Sequence, residues 1–287
     1  MPTLRGRVLL GWMPRDDAVR FLTTDCEFNP PIDEVAAGAL WDAARARVDA
    51  LPDRPCIKLP NLGFNASELG HQAKFFAFLK SIRAHDVIEL RKVDLRELVA
   101  RQYCIVTQRS DDYALRLQSP KAWLDEMVPT AVKPQQLRVQ STQTGMDTYS
   151  EFDVPHAEFY FGPHPQNIGT FTAQELLRHV TIMDGDDRTF LWAGYHRCFA
   201  RVANAPPAAV PSAVVAVAKN VLVTPGPTIA AAGDPAIIGV DPLGVFGTKA
   251  PRFADFFAAG LFMDVDLRKK RYQLQVHAKL VALDDPT

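Results

Sequence analysis

Cysteine is scarce in this chain. Only Cys26, Cys56, Cys104 and Cys198 occur among 287 residues. They lie far apart and form no C-x-x-C pair, so neither a disulfide framework nor a zinc site is indicated, and reduced thiols fit best. An excess of one charge is lacking too: 32 Lys and Arg stand against 33 Asp and Glu, a formal net charge of −1. With a pI near 6.7, the chain has no domain-wide basic field of the kind a general nucleic-acid binder uses. Long hydrophobic runs are also missing. Val8-Leu-Leu-Gly-Trp-Met13 is far shorter than an export signal requires, and the apolar stretch 205–223 is broken by Pro206, Pro207, Pro211 and Lys219. The expectation is a cytoplasmic protein with no membrane partner. What the chain does have is 47% hydrophobic residues, enough for a real core spread over two or three subdomains.

The most informative stretch is Arg188-Thr-Phe-Leu-Trp-Ala-Gly-Tyr-His-Arg-Cys-Phe-Ala-Arg-Val202. Phe190, Leu191 and Trp192 suit a buried strand, Gly194 tolerates unusual backbone angles, and helical patterning begins at Tyr195. The free N–H groups at such a helix start, with His196 and Arg197, would converge on an anion. Upstream, His179-Val-Thr-Ile-Met183 alternates and ends in the turn signal Asp184-Gly185, so a hairpin precedes the glycine turn. Thr172-Ala-Gln-Glu175 reads as a capping box opening a short helix, and Val214-Val-Ala-Val217 as a returning strand.

Gly194-Tyr195-His196-Arg197, after a strand and before Cys198-Phe-Ala200 on a helix, resembles the Gly-x-His/Arg-Arg box of the ParB/sulfiredoxin-like fold. It is similar in particular to uncharacterised bacterial proteins with an Asp-Gly-Tyr-His-Arg form of this box; here Ala193 stands in place of the Asp. The resemblance implies a nucleotide pocket, for ATP or CTP with Mg²⁺, in which Gly194, Tyr195, His196 and Arg197 contact phosphates. It spans about 86–220. Tyr195 occupies the place of the reactive cysteine of sulfiredoxins, which argues against sulfinic-acid reduction. The prolines after the box do not suit the helix-turn-helix of partitioning ParB proteins, which disfavours DNA binding by that route.

The fold class expected is α/β (α+β). Residues 1–85 read as a mainly helical region, with helices over 32–51 and 67–83, the latter capped at Ser67 and carrying Phe75, Phe76, Phe78, Leu79 and Ile82 on a core face. Residues 86–220 form the ParB/sulfiredoxin-like domain, opening with a strand over 87–93 and a helix from Asp94 through Ala100; Cys104–Val106 and 137–140 are further strand candidates. Residues 221–287 begin with a loop over 224–235, continue through a short helix over 250–257 and end in a β-hairpin whose strands, 261–265 and 272–280, flank the basic run Arg268-Lys-Lys-Arg271.

The box supports binding more directly than catalysis. Candidates for a base or metal-linked carboxylate are Asp184 and Asp187 with Asp186 on the hairpin turn, and Glu97 with Asp94 near the entry strand, although turn chemistry explains the hairpin aspartates equally well. His156 and Glu158 share a strand face, but no third ligand accompanies them and no metal site is assigned. Two functional readings stand: a nucleotide-binding phosphotransferase or hydrolase acting on a small molecule, and a non-catalytic regulatory module that holds a nucleotide or other phosphate-bearing molecule and engages a protein partner. A DNA-associated role, through the basic hairpin tip, is not favoured over either.

Overall fold

A computed structural model of the chain describes residues 4–55, 57–81, 87–131, 179–185, 187–206, 208–218, 246–268 and 274–276, together with short strand segments between 133 and 175. The architecture is mixed α/β. Among the described residues there are six α-helices: α1 (Arg15–Arg20), α2 (Glu34–Asp49), α3 (Ala66–Ser81), α4 (Thr107–Arg116), α5 (Pro120–Met127) and α6 (Tyr195–Ala203). The chain divides into two compact units. The first comprises 1–131, 178–230 and 235–269; the second comprises 132–177, 231–234 and 270–287.

Two sheets build the first unit. In one, β2 (Cys26–Glu27), β9 (Met263–Leu267), β1 (Leu4–Val8) and β5 (Cys104–Val106) lie in that order, all antiparallel. The N-terminal region therefore contributes two strands besides its helices. The other sheet is mixed and five-stranded, ordered β3 (Val87–Asp94), β8 (Ser212–Ala218), β6 (Thr181–Asp184), β7 (Thr189–Ala193) and β4 (Val99–Ala100). Here β6 runs parallel to β8, and β7 parallel to β4; the other two pairings are antiparallel.

The continuous apolar run of β8 follows from burial on both faces. Val215 and Val217 join Leu191, Ile182, Cys198 and Phe199 in the main core, whereas Val214 and Ala216 face Phe75 and Leu79 of α3 on the opposite side. Phe75 and Leu79 are buried as their spacing predicts; α6 takes the first face and α3 the second. Helix starts are fixed by side-chain caps. Asp33 accepts from the Ala36 N–H at 2.7 Å to open α2, and Ser119 accepts from the Ala122 N–H at 3.1 Å just before Pro120 opens α5.

Several expected elements take another form. The cap of α3 is Asn65, not Ser67: Asn65 Oδ1 accepts from the Glu68 N–H and Glu68 Oε2 from the Asn65 N–H, a reciprocal box. Asp94 accepts from the Arg96 N–H two residues on, so only a 3₁₀ turn forms over Leu95–Glu97, and the pairing of Val99 and Ala100 with Phe190 and Leu191 makes a strand where a helix was expected. The segment 250–257 likewise gives a 3₁₀ turn, Phe253–Phe257.

In the second unit, Gln174–Glu175 pairs with Lys133–Pro134 as strand, and this long-range pairing overrides the local capping pattern of Thr172–Glu175. Leu274–Val276 pairs with Gly145–Tyr149, which also pairs with Arg138–Thr142. Among the described residues the expected C-terminal hairpin does not form: its first strand is β9, paired to β1 and β2. The loop 224–235, the residues His156 and Glu158, Asp186, and Lys269 to Arg271 of the basic run lie outside the described residues. Among the described residues no helix is long and apolar enough to cross a membrane.

Candidate functional site

The strand–glycine–helix unit forms as the sequence predicts. Strand β7 ends at Ala193, Gly194 adopts a left-handed conformation (φ 98°, ψ 25°), and α6 begins at Tyr195 with no side chain capping it. Glycine is required there twice over: the positive φ disfavours any Cβ, and a Cβ built at Gly194 would stand 2.6 Å from Val180 Cγ2.

The three residues after the glycine have different fates. Tyr195 is buried, and its hydroxyl accepts from the N–H groups of Arg101 (2.6 Å) and Gln102 (3.1 Å) while donating to the Leu191 carbonyl (2.7 Å). Burial pushes its pKa up to about 12. With the hydroxyl fully engaged, the Tyr195 side chain braces the box from within.

His196 accepts the Val106 N–H at Nε2, 3.3 Å away, which assigns its proton to Nδ1. Burial, and then the positive charges of Arg109 and Arg197, push its pKa down to about 3. The imidazole is therefore neutral near pH 7 and offers a hydrogen bond but no charge. Val106 is itself the N-cap residue of α4, another helix that starts without a side-chain cap. Two helix starts thus meet at His196, each with backbone N–H groups at the positive end of a dipole.

Arg197 is buried and donates from Nη1 to the Glu126 carbonyl at 2.7 Å, tying α6 to α5. Its cation lies beside the box, but one arm of its fork is committed to packing. Cys198 is fully buried, and burial raises its pKa to about 12, so it remains a thiol and serves as a small core residue.

The carboxylates proposed for chemistry are not at the box. Asp184 pairs across the hairpin with Thr189, and Gly194 lies five residues farther along at the other end of β7, about 17 Å away at the usual strand rise. There Asp184 accepts from Arg91 Nη1 and Nη2 (3.0 and 2.9 Å) and from Thr189 Oγ1 (2.8 Å). Burial raises its pKa, but the bonds from Arg91 and Thr189 and the charges of Arg91 and Lys58 outweigh that and leave it below the usual carboxylate range. Asp187 accepts from Arg188 twice at 2.8 Å, and Glu97 accepts from Arg252. Each of the three is occupied as an arginine partner.

No family model, curated protein or solved structure matches the chain. Among the described residues no group of three His, Cys, Asp or Glu could hold a metal ion, and Asp184 lies at the end of β7 away from the box.

Sequence reasoning missed α4 and with it Arg109, because Thr107–Arg116 is polar on most positions and carries no capping residue. It also missed the arginines of a cleft lined by Arg54, Arg188, Arg252 and Glu97. Arg54 and Arg252 stand singly in proline-flanked segments with no periodic signal.

Proposed function

We propose that the chain is a non-catalytic nucleotide- or phosphate-binding module of ParB/sulfiredoxin-like type, with the anion held at the start of α6. One observation carries this reading: the uncapped starts of α6 and α4 meet at His196, with Arg109 and Arg197 close enough to depress its pKa. A phosphate there would accept backbone N–H groups and meet the positive ends of two helices. His196 would contribute the Nδ1–H of a neutral ring, and Arg109 and Arg197 favourable charge; Tyr195 and Gly194 shape the turn. The non-catalytic form is preferred over a phosphotransferase or hydrolase using ATP or CTP with Mg²⁺, because Asp184, Asp187 and Glu97 are each committed to an arginine.

Thermal-shift and calorimetric titrations with ATP, ADP, CTP, GTP and inorganic phosphate, each with and without Mg²⁺, test the reading on the native chain and on His196→Ala and Arg109→Ala. Saturable stabilisation by at least one of these anions, weakened in both variants and independent of Mg²⁺, is expected, with no nucleotide consumed. No response to any of them would overturn the proposal. A response that requires Mg²⁺ and is accompanied by release of phosphate would return the catalytic reading.

A further inference from the structure

Away from α6, three guanidinium groups that are distant in sequence line one cleft, with Glu97 as the acid among its lining residues. The cleft is narrow, with about 10 Å³ of cavity volume, room for about one water. Two of the arginines are held from behind. Arg54 donates from Nη1 and Nη2 to Asp255 at 2.7 and 3.0 Å, and Arg188 from Nε and Nη2 to Asp187 at 2.8 Å each. Backbone carbonyls complete the grip: Ala250 accepts from Arg54, Gly247 from Arg188 and Pro55 from Arg252. The Nε of Arg54 is buried without a hydrogen-bond partner, a donor left over after this network is satisfied.

Arg252 differs from the other two because its carboxylate partner, Glu97, is a residue of the cleft lining itself. Swinging that carboxylate out would remove one negative charge from the lining, widen the cleft and release one arm of a planar fork suited to an oxyanion. We propose that this cleft is an anion site for one phosphate or carboxylate group of a small ligand, closed in this conformation by the chain's own Glu97. The site is independent of the start of α6: it belongs to the face of β4 and β7 that carries Val99 and Phe190, whereas Tyr195 and Cys198 of α6 pack into the main core.

The test reads the arginine side chains directly. In the full chain labelled with ¹⁵N-arginine, the Nε–H signals of Arg54 and Arg252, assigned through Arg54→Lys and Arg252→Lys, are followed during titration with inorganic phosphate and separately with acetate. At least one anion is expected to shift both signals saturably, and about tenfold more tightly in Glu97→Gln, where a competing charged partner is gone. The arm that responds identifies the ligand group. The shifts should persist in His196→Ala, which separates this site from the one at α6. Glu97→Asp, with a shorter reach to Arg252, gives the same comparison if the amide variant does not fold. The proposal is overturned if neither anion moves these signals beyond the effect of chloride in either Glu97 variant, or if binding is no tighter there than in the native chain.

Discussion

Gly194 and Val180 are pressed together at the turn into α6: the left-handed backbone of the glycine leaves 2.6 Å between an ideal Cβ and Val180 Cγ2. Val180 is wholly buried, its N–H donates to the Met127 carbonyl, and its carbonyl accepts the Ala216 N–H. The branched side chain is thus fixed by strand and helix neighbours and has little room to withdraw.

Gly194→Ala is therefore expected to destabilise the protein by about 3 kcal/mol, part from the left-handed conformation and part from the contact. Urea denaturation of Gly194→Ala, Val180→Ala and the double variant separates the two. A favourable coupling of about 1 kcal/mol in the double variant is expected, and strict additivity would mean that the turn yields without meeting Val180.

Tyr195→Phe should cost about 2 kcal/mol, because it leaves the N–H groups of Arg101 and Gln102 without their acceptor in a buried setting. The native hydroxyl also predicts an alkaline signature. Its folded pKa, near 12, lies above the unfolded value of 10.0, so above pH 10 the unfolded chain loses a proton that the folded chain keeps, and stability falls as pH rises towards 12. Denaturation midpoints from pH 9 to 12 should decline less steeply in Tyr195→Phe; parallel slopes would place the titrating group elsewhere, with Cys26 and Cys198 the next candidates.

The acid side belongs to His196. Its folded pKa of about 3 lies below the unfolded 6.5, so its contribution is complete above pH 6.5 and is lost as pH falls towards 3, where the unfolded chain takes up a proton that the folded one refuses. His196→Gln should flatten the loss of stability between pH 6.5 and 4. An unchanged slope would show that the ring is charged in the fold and that the bond from the Val106 N–H is not made.

The strand, the glycine turn and α6 were legible because their signals are local: an apolar run, a residue that must accept positive φ, and helical spacing. The two cores around β8 were legible in part, since a strand buried on both faces reads as unbroken Ala and Val. What surrounds His196 was not. Val106 and Arg109 reach it through the antiparallel pairing of β1 with β5 and the packing of α4 on α6, and no spacing in the sequence encodes that meeting. The same holds for β9, whose alternation was visible but whose partners, β1 and β2, lie more than two hundred residues away. Local reading supplied the nearest available partner, a hairpin mate at 272–280, and the long-range sheet prevailed.

Asp184 separates a structural carboxylate from a catalytic one. It joins β6 to β3 through the bidentate bonds from Arg91 and to β7 through Thr189, whose hydroxyl also accepts from the Leu59 N–H. Asp184→Asn keeps the shape but removes the charge that Arg91, only 14% exposed, faces across the sheet. A loss of about 2 kcal/mol is expected. Because the folded pKa is depressed, the native carboxylate adds stability above its unfolded pKa of 3.8 and loses that contribution as pH falls through the lower folded value. Anion affinity at the start of α6, about 17 Å along β7, should remain within about twofold of the native value, since distant independent sites act additively. Calorimetric titration of the anion that stabilises the native chain, paired with urea denaturation, reads both quantities. Binding that collapses while stability holds would instead place Asp184 in the site and revive its role as a base.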